Sequence, residues 1–181
     1  GGGRQAQLLA LLCLLVAPAS LRLAAMLDIP VVEVFLCTVT AYLVARALAR
    51  SECWTWVLAG GTLGLAIIAK HTALLWGGAL AIGILASPSR PAARSRWPWY
   101  GVAVACLLAL PNLVWQAENG FASLEFMRTL RHEVLAEQGR ALFIAGQLLY
   151  FHPLAIPVWL AGLAFAFTRP GRATRPFGAL F

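Results

Sequence analysis

Charge is what this sequence has least of. Only 12% of its 181 residues are Asp, Glu, Lys or Arg, against about a quarter in an ordinary soluble domain. A chain of this length cannot hide so much apolar surface in a water-soluble globule, because a small globule leaves much of its area wet. Alternating apolar and polar residues are also missing, which excludes the strands of a membrane β-barrel. There is no internal repeat, no low-complexity stretch and no soluble domain between the apolar runs. The four cysteines form no CxxC pair and keep no ligand-like spacing to histidine, so they read as small apolar packing residues and not as a metal or disulfide framework. What is present is hydrophobicity: 61% of the residues are apolar and the mean hydropathy is +0.78. Spanning structures must satisfy their backbone polar groups internally. The reading is therefore an all-α integral membrane protein, a single polytopic domain over 1–181.

Six runs approach the ~20 residues that cross about 30 Å of hydrocarbon. They cover 7–27, 30–49, 54–69, 72–86, 99–115 and 141–167. The segment 116–140 is read as an outer loop with an amphipathic helix on the membrane surface. There Phe121, Leu124, Met127, Leu130 and Val134 recur every three or four residues, and Glu125, Arg128, His132 and Glu133 fall elsewhere. Arg4, Arg46, Arg50, Arg90, Arg94, Arg96, Arg169, Arg172 and Arg175 fall on one side, nine of the fourteen basic residues, with Glu52 the only acid beside them. The positive-inside rule makes that side cytoplasmic and puts both termini there. The pI near 10.1 is then a matter of topology and lipid headgroups; no nucleic-acid module is recognisable. Trp54, Trp56, Trp97, Trp99 and Trp115 stand at span ends, where tryptophan anchors a helix in the interface.

Charges at the opposite, outer rim are where chemistry is to be sought, since a charge at the edge of a span is costly. Asp28 precedes Ile29-Pro30 and is placed to cap the second span. Glu33 lies one turn further in, and two carboxylates so placed suit a cation or a shared proton. Lys70 follows the run Gly60-Gly61-Thr62-Leu63-Gly64-Leu65-Ala66-Ile67-Ile68-Ala69, whose glycines permit close helix packing. A lysine there either snorkels to the interface or holds a phosphate. Arg22 shares the same side. Asn112, Trp115 and Gln116 end the fifth span after Pro111, and His152 reads as hydrogen-bonded within the bundle.

Three segments, in order, carry a resemblance. They are Asp28-Ile29-Pro30 with the later Tyr42-Leu43-Val44-Ala45-Arg46-Ala47-Leu48; Ala59-Gly60-Gly61 through Ala69-Lys70-His71-Thr72-Ala73; and Pro111-Asn112-Leu113-Val114-Trp115-Gln116 through Gly120-Phe121. Together they resemble the polytopic lipid-linked-sugar glycosyltransferases related to bacterial protein O-mannosyltransferases and aminoarabinose transferases, the glycosyltransferase family 39-like group with the GT-C fold. His71 stands where that group often has Tyr, and Gln116 where it often has Asn.

The resemblance implies a partial GT-C fold and a transferase in the bacterial inner membrane. It would move a sugar from a polyprenyl-phosphate donor to a lipid, glycan or protein acceptor on the outer face. Asp28 matches the group's second outer-face aspartate and Lys70 the lysine of its threonine-lysine motif. The implied assignment is Asp28 as catalytic carboxylate, Lys70, Arg22 and His71 around the donor phosphate, and Glu33, Asn112, Trp115 and Gln116 lining the cavity for the acceptor. The group's principal catalytic acid lies in a first outer loop that would precede Gly1, so the chain is expected to be a middle portion and incomplete as an enzyme. The residues do not decide metal use, with a divalent ion the candidate cofactor, or the oligomeric state. A multipass transporter is the other reading, but it calls for inverted repeats and helices broken at mid-membrane, and the charges here sit at the rim. A non-catalytic fragment is the third.

Overall fold

The computed structural model describes residues 3–26, 28–50, 52–130, 139–150, 152–168, 171 and 174–178. All regular structure among them is helical: α1 (Arg4–Val16), α2 (Pro18–Ala25), α3 (Ile29–Arg50), α4 (Trp54–Ala69), α5 (Thr72–Leu85), α6 (Arg96–Glu118), α7 (Ala122–Leu130), α8 (Arg140–Tyr150), α9 (Ile156–Phe167) and α10 (Arg175–Gly178), with 3-10 turns at Arg90–Arg94 and Pro153–Ala155. Two of these, α3 and α6, are long and apolar enough to cross a membrane. The count rises to three if the bent pair Ala141–Tyr150 and Pro153–Phe167 is one span.

Proline decides where the expected spans break. The run 7–27 is divided at Ala17, whose backbone is extended (φ −62°, ψ 124°), because the ring of Pro18 crowds the preceding residue out of the helical region. The run 141–167 is interrupted for the same reason at His152, which precedes Pro153 and takes φ 66°. Pro111, in contrast, lies inside the continuous 23-residue α6. The runs 54–69 and 72–86 are helical, but α4 and α5 have 16 and 14 residues. At 1.5 Å per residue that is about 24 and 21 Å, short of the hydrocarbon thickness. Part of the segment read as the outer loop is helical, as Ala122–Leu130; the expected continuation through Arg131, His132, Glu133, Val134 and Glu137 falls on residues 131–138, outside the described ones. α10 has no counterpart in the sequence reading, since four residues give no periodicity to read.

Contacts divide the chain into two units, one of Met26–Leu110 with Leu160–Phe181 and another of Gly2–Ala25 with Pro111–Trp159. In the first, α3 and α4 form an antiparallel hairpin, pinned at one end by Glu33 against Lys70 and at the other by Arg46 against Glu52. α6 runs parallel to α4. A Cβ on Gly60 would lie 2.0 Å from the Gly101 carbonyl oxygen, and one on Gly64 would lie 3.1 Å from the Ala105 Cα. The small-xxx-small pairs Gly60/Gly64 and Gly101/Ala105 thus let two backbones touch. A Cβ at Gly61 would meet nothing within 4 Å, so Gly60 and Gly64 make the close approach without it. Many of the buried residues are small: Ala47, Ala59, Ala66, Ala73 and Ala109 line the interior with Thr40 and Thr55, beside the larger Val44, Ile67, Leu80 and Ile84, while Phe35, Leu75 and Leu107 stay exposed. A high share of small buried residues, with many large apolar ones outside, suits hydrocarbon, because lipid tails solvate leucine as well as a protein core does. Thr40 is buried with its hydroxyl bonded to the Leu36 carbonyl (2.8 Å) and to the Thr62 hydroxyl (2.8 Å), so α3 and α4 share a polar contact with no unsatisfied group.

Candidate functional site

The two ends of the first unit differ in chemistry. At one end, α3 begins at Ile29, α4 finishes at Ala69 and α5 starts at Thr72. Lys70 sits in the turn between α4 and α5 with an extended backbone (φ −157°, ψ 128°), and its N–H still bonds to the Ala66 carbonyl. The break at Lys70 turns the chain back into α5 and directs the ammonium toward α3. There its Nζ lies 3.4 Å from Glu33 Oε2, with the lysine side chain 44% exposed and the glutamate side chain 14%. The other carboxylate oxygen, Oε1, accepts a hydrogen bond from the Thr72 hydroxyl. The α5 N-terminus adds partial positive charge at the same place. Glu33 is therefore the anion of a small cradle made by a lysine, a threonine hydroxyl and a helix N-terminus, a donor set that suits phosphate equally well.

Asp28 begins α3 one turn before Glu33. Its Oδ1 accepts from the Ile29 N–H at 2.7 Å, and its carbonyl accepts from the Val31 N–H at 2.9 Å. Asp28 thus takes up the first free N–H of α3 through its side chain, and the exposed carboxylate keeps further lone pairs for another partner. His71 follows Lys70 and leads into α5, its carbonyl taking the Leu74 N–H at 3.0 Å. Thr72 was not among the candidates read from sequence. The signal that could have found it is a hydroxyl residue at a helix start directly after the lysine. The pairing of Glu33 with Lys70 was equally absent from that reading, which placed Glu33 beside Asp28.

The remaining candidates belong to the second unit. Arg22, on α2, donates from Nη1 to the Tyr150 hydroxyl of α8 at 3.3 Å. Asn112 and Trp115 lie in the last turns of α6, with Trp115 exposed. Gln116 is buried. Its amide nitrogen donates to the Ser123 hydroxyl, and its amide oxygen accepts from the Ser123 N–H at 3.2 Å. Its carbonyl accepts from the Phe121 N–H at 2.7 Å. Gln116 thereby clamps the turn through Gly120 and Phe121, both left-handed (φ 66° and 57°), and sets the start of α7. Among the described residues no three His, Cys, Asp or Glu side chains gather as metal ligands.

Comparison with known proteins adds one finding. A family model described as dolichyl-phosphate-mannose-protein mannosyltransferase matches residues 2–115. That stretch takes in Arg22, Asp28, Glu33, Lys70, His71, Asn112 and Trp115. Neither the curated proteins nor the solved structures include a match.

Proposed function

The chain belongs to the dolichyl-phosphate-mannose-protein mannosyltransferase family, membrane glycosyltransferases of the GT-C type that use polyprenyl-phosphate-linked sugar donors, and from that premise we propose that the cradle around Lys70 receives the donor phosphate. The observation that carries this is the ion pair itself. Lys70 meets Glu33 at 3.4 Å while its side chain remains 44% exposed. An ammonium has three N–H donors, and one partner at that distance leaves others to face an incoming anion. A phosphate entering here would share or replace the Glu33 carboxylate on Lys70 and the Thr72 hydroxyl. It would gain the field of the α5 N-terminus as negative charge builds on it when the sugar departs.

The other roles follow the same premise. Asp28 is the site carboxylate that orients the acceptor, and His71 assists at the donor phosphate. Within the first unit Glu33 serves the acceptor; within the second, Asn112, Trp115 and Gln116 serve the acceptor and Arg22 the donor phosphate, Gln116 by holding the turn into α7. We read the chain as one polytopic domain with six crossings, the shorter α4 and α5 included. Both termini and the Arg-rich end then face the bacterial cytoplasm, and the site faces outward with α7 on the membrane surface. The acceptor is a lipid, glycan or protein.

The test is binding of an undecaprenyl phosphate to the purified chain in detergent, followed by tryptophan fluorescence. Lys70→Gln should weaken binding about tenfold or more, which is about 1.4 kcal/mol, whereas Arg128→Gln on α7 should leave it unchanged. Equal affinities in the wild type and Lys70→Gln would remove the cradle from the donor site.

A further inference from the structure

The opposite end of the first unit holds a second charged feature, far along the helices from the cradle. Here α3 ends at Arg50, α4 begins at Trp54, α5 ends at Leu85 and α6 begins at Arg96. The basic groups there differ in how they are neutralised. Arg46 clamps Glu52 with two bonds, Nε to Oε2 at 2.7 Å and Nη2 to Oε1 at 3.2 Å, and Arg50 approaches the same carboxylate at 3.9 Å. Glu52 is thereby paired with these two arginines. Arg90 and Arg94, on the 3-10 turn between α5 and α6, have no ion-pair partner among the described residues. Both line an open cavity of about 590 Å³ together with Leu85, Ser87, Pro88 and Pro91.

That cavity is built by local bonds. The Ser87 hydroxyl donates to the Ile84 carbonyl at 3.0 Å and accepts from the Ser89 N–H at 3.1 Å. The Arg90 N–H bonds to the Ser87 carbonyl at 3.0 Å and the Ala92 N–H to the Ser89 carbonyl at 2.9 Å. Pro88 and Pro91 fix two φ angles in the same loop. The Trp99 indole donates to the Ala93 carbonyl at 3.0 Å, tying the turn to α6. Trp97 packs edge-on against Tyr100 with ring centroids 5.7 Å apart. Trp99 is exposed near the start of α6; a tryptophan at a span end sits at headgroup depth, which would bring the two guanidiniums to the level of lipid phosphates. Leu85 and the prolines supply apolar lining to the cavity.

We propose that this cavity binds the headgroup phosphate of an anionic phospholipid from the surrounding leaflet. Two guanidiniums without an ion-pair partner among the described residues, beside apolar Leu85, Pro88 and Pro91, match a ligand that is an anion at one end and an acyl chain at the other. A guanidinium also presents paired N–H donors to phosphate oxygens. The site is separate from the donor cradle, and its failure would leave the proposed function untouched.

The test is reconstitution of the full chain into nanodiscs of phosphatidylcholine with a minor fraction of phosphatidylglycerol, with retained lipid counted by native mass spectrometry. The wild type should keep one phosphatidylglycerol, and Arg90→Gln/Arg94→Gln should lower its affinity about thirtyfold, or about 2 kcal/mol. Arg50→Gln/Arg96→Gln removes the same charge from the same end and should retain the lipid. Arg90→Lys/Arg94→Lys should keep most of the binding and shows that the loop still folds. Equal loss in both Gln pairs would mean a diffuse charge effect and overturn the site, as would no loss in either. Displacement of the lipid by inorganic phosphate at millimolar concentration would reassign the cavity to a soluble anion and overturn the lipid assignment.

Discussion

Lys70 and Glu33 are partners whose environments are unequal, and that inequality predicts unequal mutational costs. The glutamate side chain is 14% exposed and the lysine 44%. An exposed ammonium regains water when its partner is lost, so Glu33→Gln, which keeps an acceptor for the Thr72 hydroxyl, should cost less than about 1 kcal/mol of stability. Lys70→Gln instead leaves a mostly buried carboxylate with a threonine hydroxyl as its only other bonded partner among the described side chains. It should cost more, about 1–3 kcal/mol by the penalty for an uncompensated buried group. Thermal unfolding of both variants in detergent checks the order; a larger loss for Glu33→Gln would show that the pair is not the anchor described here. Lys70 and Glu33 were each legible in the sequence, as charges at a span edge. Their pairing was not, because it joins residues 37 positions apart through the α3–α4 hairpin, and a hairpin's register is set by packing that no local pattern reports.

The α4–α6 contact rests on the absence of side chains, so it can be tested one methyl group at a time. A Cβ at Gly60 would lie 2.0 Å from the Gly101 carbonyl oxygen, a backbone atom that cannot rotate away, while a Cβ at Gly61 would meet nothing within 4 Å. Alanine in mid-helix is worth about 1 kcal/mol over glycine by propensity alone. Overpacking typically costs about 1–3 kcal/mol, and here the two backbones would have to separate. Gly60→Ala should therefore lower the thermal midpoint of unfolding and Gly61→Ala should hold or raise it, although the two residues are adjacent and chemically identical. Identical shifts would dissolve the helix contact. At this scale the sequence read unevenly. α4 is found at residues 54–69 as expected, because a tryptophan opens it and a lysine closes it. Pro18 and Pro111 look alike in sequence, yet one ends a helix and the other lies within one. Whether a helix survives proline depends on which neighbouring groups satisfy the freed carbonyl, a tertiary fact outside the local pattern.

For the whole molecule the open matter is what the 181 residues accomplish together. Their topology can be read with reporter fusions placed after Arg96 and after Glu137. The arginine asymmetry puts these on opposite sides of the membrane, and the same side for both would refute the proposed orientation. The family match shows kinship over residues 2–115, and motif order made that kinship visible in the sequence, whereas the acceptor is fixed by cavity shape and leaves no short motif. Transfer requires a base within hydrogen-bond reach of the acceptor. Asp28 is the chain's single aspartate, and its carboxylate already holds the first N–H of α3. We therefore expect the purified chain to bind a polyprenyl phosphate and to transfer no sugar from a radiolabelled polyprenyl-phosphate donor. Asp28→Asn separates the two roles of that residue. Asparagine caps a helix about as well as aspartate, so stability should change by less than about 0.5 kcal/mol, while any proton-accepting role is lost. If the chain does transfer sugar and Asp28→Asn abolishes it at unchanged stability, Asp28 alone is a sufficient base and the expected inactivity is wrong. If transfer is absent in both and binding persists in both, Asp28 serves the fold of α3 in these residues and the proton acceptor must be supplied from outside them.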